Sequence, residues 1–258
     1  MARPADRLVA FEGIGNFRDF GGYAVSGGGR LREGLLYRSA HWAHATDADV
    51  TALADYGLSA IVDLRRAVER EAEPCRRWPN FATEVIENDV EEAHLNPNPG
   101  FPMHLDVDAS RARSRGFYAR AAHEERHIDL FRRYFRALGG ADGPVLIHCA
   151  SGKDRTGILV ALTHQLAGVH RDDVMADFLA TNELLGPRLA GLRLLAREAA
   201  GRHVDDEELL ARISVGSDYL DATFAALIER HGSVDGYLEQ VLGVDPSLRA
   251  LLLGRLIA

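Results

Sequence analysis

The chain has 258 residues, of which 47% are hydrophobic and 26% are charged, and its formal net charge is −8. An acidic protein is a poor general binder of nucleic acids or anionic membranes, since both select basic surfaces. No apolar run approaches the roughly 20 residues that span a bilayer, and the N-terminal MARPADRLVA lacks the apolar core of a secretory signal. We therefore expect a cytoplasmic protein without a stable membrane anchor or a nucleic-acid partner, and leave export by a signal-less route open.

Cysteine usage argues against both disulfides and metal binding. The chain contains only Cys75 and Cys149, which are too few for a disulfide framework, and no Cys/His spacing typical of a metal site surrounds either residue. We expect no metal and no other cofactor.

Short apolar runs bounded by turn-forming residues predict β-strands along the first 150 residues. They cover residues 8–14, 35–37, 58–64 (LSAIVDL), 81–87 and 144–148 (PVLIH).

Helical patterns alternate with these runs. Thr46 is a suitable N-cap for a helix that extends to about residue 56 before Gly57. Asp245 followed by Pro246 is another helix start, with proline in the first helical position. The remaining helical patterns cover 65–73, 114–138, 157–166, 171–185 and most of the chain after 187.

Residues 88–112 differ in character from both kinds of element. The run NPNPG at 96–100 and the proline at 102 break any regular structure. A loop of this length inside a compact domain is uncommon unless it serves as a lid or is mobile. We therefore predict a lid insertion here.

The order of elements predicts the fold class. Strands interleaved with helices favour an α/β fold, with a central, partly parallel sheet flanked by helices and a helical C-terminal half. No internal repeat or interdomain linker interrupts the chain, so we expect one domain over residues 1–258.

The most informative motif is HCASGKDRTG at 148–157, where a strand leads into a Cys-x5-Arg loop and then a helix. A phosphate needs several converging N–H donors, which a tight loop entering a helix N-terminus supplies. Cys149 is the candidate nucleophile because helix N-termini and nearby cations favour its thiolate. Arg155 can bind two phosphoryl oxygens bidentately. The candidate phosphate-binding residues are Ala150, Ser151, Gly152, Lys153, Asp154 and Arg155.

Other residues of the motif have supporting roles. Gly152 lets the backbone turn close to the anion. Lys153 is the only lysine of the chain, and a compact ammonium on a flexible stem suits a phosphate loop. Thr156 can donate a hydrogen bond to the sulfur when it acts as leaving group, and His148 orients the loop through its ring N–H.

This loop resembles the phosphate-binding loop of the protein tyrosine phosphatase superfamily, and its Lys-Asp pair resembles bacterial atypical tyrosine phosphatases with lipid-phosphatase character. The resemblance covers nearly the whole chain. It implies a tyrosine-phosphatase-like fold and phosphomonoester hydrolysis through a phosphocysteine, on phosphotyrosine and also on phosphoserine, phosphothreonine or phosphoinositides. Further blocks that carry it are NFRDFGGY (16–23), LYRS (36–39), VDLR (62–65) and GSVDGYL (232–238).

The general acid is the main departure from the family pattern. Eukaryotic members use a Trp-Pro-Asp loop, whereas the sequence WPN at 78–80 lacks the carboxylate. Two candidates stay open. Asp89 follows the predicted strand 81–87 and matches the position that the resemblance implies, and Asp154 lies inside the loop itself. One of them must protonate the leaving oxygen of an alkyl phosphate.

Polar residues in the other family blocks have less specific interpretations. Asp63 and Arg65 at a strand end are typical of a structural ion pair. Arg38 either braces the loop or pairs with a carboxylate, and the sequence does not distinguish these roles.

Two alternative functions also fit a cysteine in an anion-binding loop. One is arsenate-reductase-like or rhodanese-like thiol chemistry, in which Cys75 is the sole candidate for a second thiol. The other is a phosphate-binding module without catalysis, which requires that no carboxylate reach the leaving group.

Overall fold

The strands at the centre of the protein form a mixed sheet. We describe a computed structural model over residues 7–90, 106–184 and 189–258. The strands of these residues are Arg18–Asp19 (β1), Leu36–Ala40 (β2), Ala60–Asp63 (β3), Glu84–Ile86 (β4) and Val145–Cys149 (β5). They lie in the order β1-β2-β5-β3-β4, with β1 antiparallel to β2 and all other pairs parallel, which confirms the predicted partly parallel sheet.

β5 is the middle strand of this sheet, and all five of its residues are buried. In register, Cys149 pairs with Ala40 of β2, while His148 pairs with Asp63 of β3. The carboxyl ends of parallel strands meet at one edge, which is where α/β folds bind their ligands. The residues that follow β2, β3 and β5 therefore meet next to Cys149.

Helices cover both faces of the sheet and form almost all of the described chain after β5, as predicted. They are Asp47–Ala54 (α1), Ala67–Ala72 (α2), Val107–Ala121 (α3), Glu125–Gly140 (α4), Asp154–Ala167 (α5), Arg171–Ala180 (α6), Leu189–Ala200 (α7), Asp206–Ile213 (α8), Ser217–His231 (α9), Val234–Gln240 (α10) and Pro246–Leu256 (α11), with a 3-10 helix at Thr181–Leu184. No helix in the described parts of the chain is long and apolar enough to cross a membrane.

The alternation of β5 side chains separates two of the clusters of buried hydrophobic residues. Val145, Ile147 and Cys149 belong to the larger cluster, whereas Leu146 belongs to a smaller cluster on the other face of the sheet. Cys75 packs against the smaller cluster. The two thiols therefore lie on opposite faces of the sheet.

Several predicted boundaries differ from the structure. The run 8–14 contributes only an isolated bridge at Leu8, and the run 81–87 shortens to β4. The predicted helix 114–138 is two helices in the structure, α3 and α4, which are separated by a turn at 122–124. The prediction missed this turn because it contains no glycine or proline. The predicted lid 88–112 lies largely outside the described residues, and its last part, from residue 107, is the start of α3.

Thr46 caps α1 as predicted, and Asp49 completes the capping box. The buried Asp49 carboxylate also accepts hydrogen bonds from the backbone N–H groups of Glu12, at 3.0 Å, and Gly13, at 2.7 Å. One side chain thus attaches the N-terminal segment to α1.

Replacing this carboxylate should destabilise the fold. In Asp49→Ala the N–H groups of Glu12, Gly13 and Thr46 lose their acceptor, so we expect the free energy of unfolding to fall by about 2–4 kcal/mol. Urea unfolding followed by circular dichroism measures the change. The control is Asp47→Ala on the same helix, whose side chain is 92% exposed, and we expect a loss of at most about 1 kcal/mol. Equal losses in both variants would contradict the proposed attachment.

Candidate active site

The loop that carries the motif joins the central strand to a helix. β5 ends at Cys149 and α5 begins at Asp154, so only residues 150–153 lie between the nucleophile candidate and the helix N-terminus. Cys149 is 2% exposed. The N–H groups of the first helical turn have no partner within the helix and favour an anion in front of them.

The carbonyl groups of residues 150–152 each have a hydrogen-bond donor behind the loop. The carbonyl of residue 150 accepts from the His41 backbone N–H at 3.3 Å. The carbonyl of residue 151 accepts from the Asn16 side-chain amide at 3.3 Å. The carbonyl of residue 152 accepts from the same amide at 2.8 Å and from the Arg38 guanidinium at 2.9 Å. In a trans peptide the N–H of the following residue points in the direction opposite to the carbonyl. The N–H groups of residues 151–153 are thereby turned away from these donors, toward the inside of the loop.

Gly152 is required for this geometry. Its φ of +62° lies in the left-handed region that favours glycine. A Cβ atom at this position would lie 2.2 Å from the Ser39 carbonyl oxygen and 2.6 Å from the Ala40 nitrogen. The loop therefore lies directly against the end of β2.

Arg155 is held by groups that occupy one side of its guanidinium. Nη1 donates to a Glu69 carboxylate oxygen at 2.6 Å and to the Leu64 carbonyl at 3.1 Å, and Nη2 donates to the other Glu69 oxygen at 2.7 Å. A guanidinium has five N–H donors. The described residues use three, which leaves Nε–H and one Nη2–H adjacent on a single edge. That edge is a two-donor fork for an oxyanion.

Arg155 and Glu69 are both charged although they are partly buried, because each side chain stabilises the charge of the other. Burial by itself raises the pKa of Glu69, but the hydrogen bonds and charge of Arg155 hold that pKa at about 2. Burial by itself lowers the pKa of Arg155, and the Glu69 carboxylate brings it above its ordinary value. Arg155 is therefore charged and fixed in direction before any substrate arrives.

Asp154 also has a defined partner. Its Oδ1 accepts a hydrogen bond of 2.7 Å from the hydroxyl of Tyr118, a residue of α3 that is 1% exposed. Burial, together with the neighbouring Asp154 carboxylate, raises the pKa of Tyr118 well above its ordinary value, so the phenol remains a donor at neutral pH. The Asp154 side chain is still 35% exposed and is reachable from solvent.

Lys153 lies at the loop but does not point freely into it. Its Nζ donates to the carbonyl of Ile213 at the end of α8, at 2.5 Å, and lies 3.6 Å from Asp154 Oδ2. The only lysine of the sequence thus connects the loop to the helical C-terminal half.

Asp89, the other candidate acid, lies on the surface. Its side chain is 80% exposed and pairs with Arg70. Arg70 in turn donates to the carbonyls of Arg65 and Asn88. The structure therefore ties Asp89 to α2 and the end of β4, whereas Asp154 is the first residue of α5, directly after the loop.

His148 faces away from the sulfur of Cys149, since successive strand residues point to opposite faces. Its Nε2 lies 3.4 Å from Asp63 Oδ2, and its ring packs on Trp42 with centroids 4.5 Å apart. Burial lowers the pKa of His148 to about 4, although Asp63 acts in the opposite direction. His148 is therefore neutral at pH 7.

A possible metal-ligand set lies on this second face. Ligand atoms of Asp63, Cys75 and His148 lie within 4.8 Å of one another. However, the Arg65 guanidinium donates to Asp63 at 2.7 Å and to the Cys75 sulfur at 3.2 Å. The Arg65 guanidinium therefore lies where a metal ion would have to bind. This arrangement fits the structural ion pair predicted for Asp63 and Arg65.

Thr156 lies on the first turn of α5 and is fully buried. Its hydroxyl has no hydrogen-bond partner within the described residues, so its donor is available to the loop.

The sequence did not predict the roles of four residues at this site. Asn16 falls within a block that resembles the family, but nothing in the block indicates a loop contact. Glu69 and Tyr118 lie in ordinary helical patterns, and Asp177, which binds Arg38 at 2.5 Å, lies on α6. All of them are brought to the loop by tertiary contacts alone.

Comparison with known proteins identifies the family of this chain. Residues 9–258 match the tyrosine phosphatase family. A Cupriavidus necator protein named, provisionally, a tyrosine-protein phosphatase is 34% identical over 241 residues, which cover 92% of this chain and 85% of that protein. The triple specificity protein phosphatase PtpB of Mycobacterium tuberculosis is 28% identical over 284 residues, which cover 94% of this chain and 98% of that protein. The chain belongs to the tyrosine phosphatase family and is a cysteine-dependent protein tyrosine phosphatase.

Loss of the Glu69 carboxylate should impair the enzyme without unfolding it. Glu69→Gln cannot hold both Nη atoms of Arg155 as a charged pair, so we expect kcat/KM to fall by about 10–100-fold through misplacement of the guanidinium. Because the pKa of Glu69 is about 2, the wild-type pair is intact above about pH 4 and is lost only as the pH falls toward that value. The deficit should therefore be constant from about pH 5 to pH 8.

The control for this measurement is Glu71→Gln, an exposed position on the same helix. A Glu69→Gln enzyme with unchanged kcat/KM, or one impaired only as much as the control, would contradict the role of the pair.

Proposed function

We propose that Cys149 attacks the phosphorus of a phosphate monoester held by the N–H groups of the 150–155 loop, with Arg155 as the clamp. The observation that carries this proposal is the Nε/Nη2 edge of Arg155, because Glu69 and Leu64 take the other donors and leave a bidentate fork for the phosphoryl oxygens. Donors fixed before the reaction stabilise developing charge without reorganisation.

The reaction proceeds by two displacements. The Cys149 thiolate forms an S–P bond while the bond from phosphorus to the ester oxygen breaks, and the leaving oxygen keeps the electron pair and takes a proton from Asp154. Water then attacks the phosphocysteine, the S–P bond breaks with its electron pair on sulfur, and Asp154 takes the proton of that water. Inorganic phosphate is released. Thr156 donates its hydroxyl hydrogen bond to the sulfur as it leaves.

Asp154 is the preferred general acid over Asp89. It is the first residue of α5, directly after the loop, its side chain is accessible, and Tyr118 fixes its orientation. Asp89 is bound to Arg70 on the surface. A general acid must reach the leaving oxygen before its other properties matter.

Phosphotyrosine in proteins is the proposed substrate. The Cupriavidus relative is named a tyrosine-protein phosphatase, and the name of the mycobacterial relative indicates a triple specificity. We extend the proposal to phosphoserine and phosphothreonine, which the family resemblance also implies. Phosphoinositides, which the resemblance also implies, stay in the proposal as a second substrate class. The ammonium of Lys153 is bound to the Ile213 carbonyl and adds no free cation for them. The cytoplasmic location stays a prediction.

The two alternative functions receive less support. Thiol chemistry of the arsenate-reductase kind requires a second cysteine near Cys149, and Cys75 lies on the other face of the sheet. A binding module without catalysis requires that no acid reach the leaving group, and Asp154, the first residue of α5, directly follows the loop with an accessible side chain.

Replacement of the nucleophile tests the proposal. Hydrolysis of p-nitrophenyl phosphate in the presence of a chelator should persist in the wild type and fall by more than about 1,000-fold in Cys149→Ser. Cys75→Ser is the matched control and should retain full activity. Acid quenching of the wild type during turnover should trap phosphate on Cys149. Full activity of Cys149→Ser, or loss of wild-type activity in chelator, contradicts the proposal.

The role of Asp154 should depend on the leaving group. Asp154→Asn should lower kcat by about 100–10,000-fold on phosphotyrosine peptides, whose leaving phenol has a pKa near 10, since a general acid contributes that much. The loss should be smaller on p-nitrophenyl phosphate, a more acidic leaving group. Asp89→Asn should match the wild type on both substrates. The reverse pattern, with Asp89→Asn impaired and Asp154→Asn active, would assign the acid to Asp89.

A further inference from the structure

Four buried polar side chains lie directly behind the loop, and the chemistry proposed above uses none of them. Their relative exposures are 8% for Asn16, 0% for Arg18, 0% for Arg38 and 1% for Asp177. Burying two guanidiniums and a carboxylate is costly, and such clusters are weak sources of stability. The role of this cluster is therefore better indicated by the groups that accept its hydrogen bonds.

Asp177 holds both arginines. Its Oδ1 accepts from Arg18 Nε at 3.2 Å and its Oδ2 accepts from Arg38 Nη1 at 2.5 Å, while Arg18 Nη2 also donates to the Asp177 carbonyl at 2.9 Å. Arg18 Nη1 donates to Asn16 Oδ1. Since the oxygen of the Asn16 amide is occupied in this way, its NH2 group must face in the other direction.

That direction is the loop. The NH2 group of Asn16 and Nη2 of Arg38 converge on the carbonyl oxygen of Gly152, at 2.8 and 2.9 Å. Two donors on one acceptor fix the plane of the peptide between Gly152 and Lys153. The N–H of Lys153 belongs to the same plane and points away from them.

The cluster also carries excess positive charge beneath the loop. Two guanidiniums face one carboxylate, and the pKa of Arg38, although lowered by burial to about 10, keeps this side chain charged at neutral pH. The nearby His164 has its pKa lowered by burial and adds no charge at pH 7. Fixed positive charge in a low-dielectric interior attracts an anion in the loop above it.

We infer that Asn16, Arg38 and Asp177 are positioning residues of the phosphatase site, with Asp177 orienting the guanidinium and amide donors that aim the loop N–H groups at the phosphate. The inference rests on the proposed function of the loop and explains the family blocks at 16–23 and 36–39. Arg38 both braces the loop and pairs with a carboxylate, so the two roles that the sequence left open coexist.

The chain offers a matched pair of variants for the test. Asn16 has a φ of +60°, and the exposed Asn80 has a φ of +59°. Asn16→Gly removes the amide while keeping a residue that accepts the left-handed backbone, and Asn80→Gly makes the same change at the same backbone conformation away from the loop. Thermal melting of both variants reports any difference in stability.

The diagnostic readout compares two alkylating agents on Cys149, anionic iodoacetate and neutral iodoacetamide. Their rate ratio reports how well the loop holds an anion, because thiolate content affects both rates equally. We expect Asn16→Gly to lower this ratio, and kcat/KM for p-nitrophenyl phosphate, by about ten-fold. This is less than the roughly 100-fold or more that direct loss of an oxyanion donor costs, because Asn16 acts through the loop. Asn80→Gly should match the wild type. Arg38→Lys keeps the charge but cannot hold Asp177 and Gly152 together, so it should also lower the ratio.

The outcomes separate the two claims. If Asn16→Gly and Arg38→Lys are folded and retain the wild-type ratio and kcat/KM, the positioning role is wrong while the phosphatase assignment stands. If the wild type itself shows no preference for iodoacetate and no hydrolysis, the proposed function is wrong. If Asn16→Gly does not fold, Arg38→Lys decides the positioning role by the same ratio.

Discussion

The donors behind the Cys149 loop are the constraint on which the rest of the site depends. A loop of four residues between a strand and a helix presents N–H groups to an anion only if its carbonyl oxygens are directed elsewhere. Here those carbonyls accept hydrogen bonds from Arg38 on β2, from His41 directly after β2 and from Asn16 before β1. The glycine at 152 lets the loop lie against β2 closely enough for these bonds to form. The geometry of the loop is thus a consequence of how residues 16–41 pack beneath it.

Charge is distributed around this loop in a way that separates binding from proton transfer. Arg155 is fixed by Glu69 through one side of its guanidinium and keeps the other for phosphate. Asp154 is oriented by a phenol that stays protonated, since burial raises the pKa of Tyr118. His148 is neutral and lies across the sheet. The residues that carry charge toward the substrate are therefore few, and each one has a partner that sets its direction.

The sequence predicted what local chemistry controls. The structure contains the strand that leads to Cys149, the Thr46 cap and the helix start at Asp245, each of which depends on neighbours within a few residues. The partners of the loop were not predictable in this way, because Asn16 lies 136 residues from Gly152 and Glu69 lies 86 residues from Arg155. The turn between α3 and α4 was missed for a related reason, since it carries no breaking residue.

A crystal structure with bound vanadate tests the central claim most directly, because vanadate adopts the five-coordinate geometry of phosphoryl transfer. The account predicts vanadium bonded to the Cys149 sulfur, with its equatorial oxygens accepting from the N–H groups of residues 151–153 and from Nε and Nη2 of Arg155. Glu69 should remain on the other side of that guanidinium, and the Gly152 carbonyl should still accept from Asn16 and Arg38. Vanadate bound away from the sulfur, or a loop whose carbonyls turn inward toward it, would contradict the account.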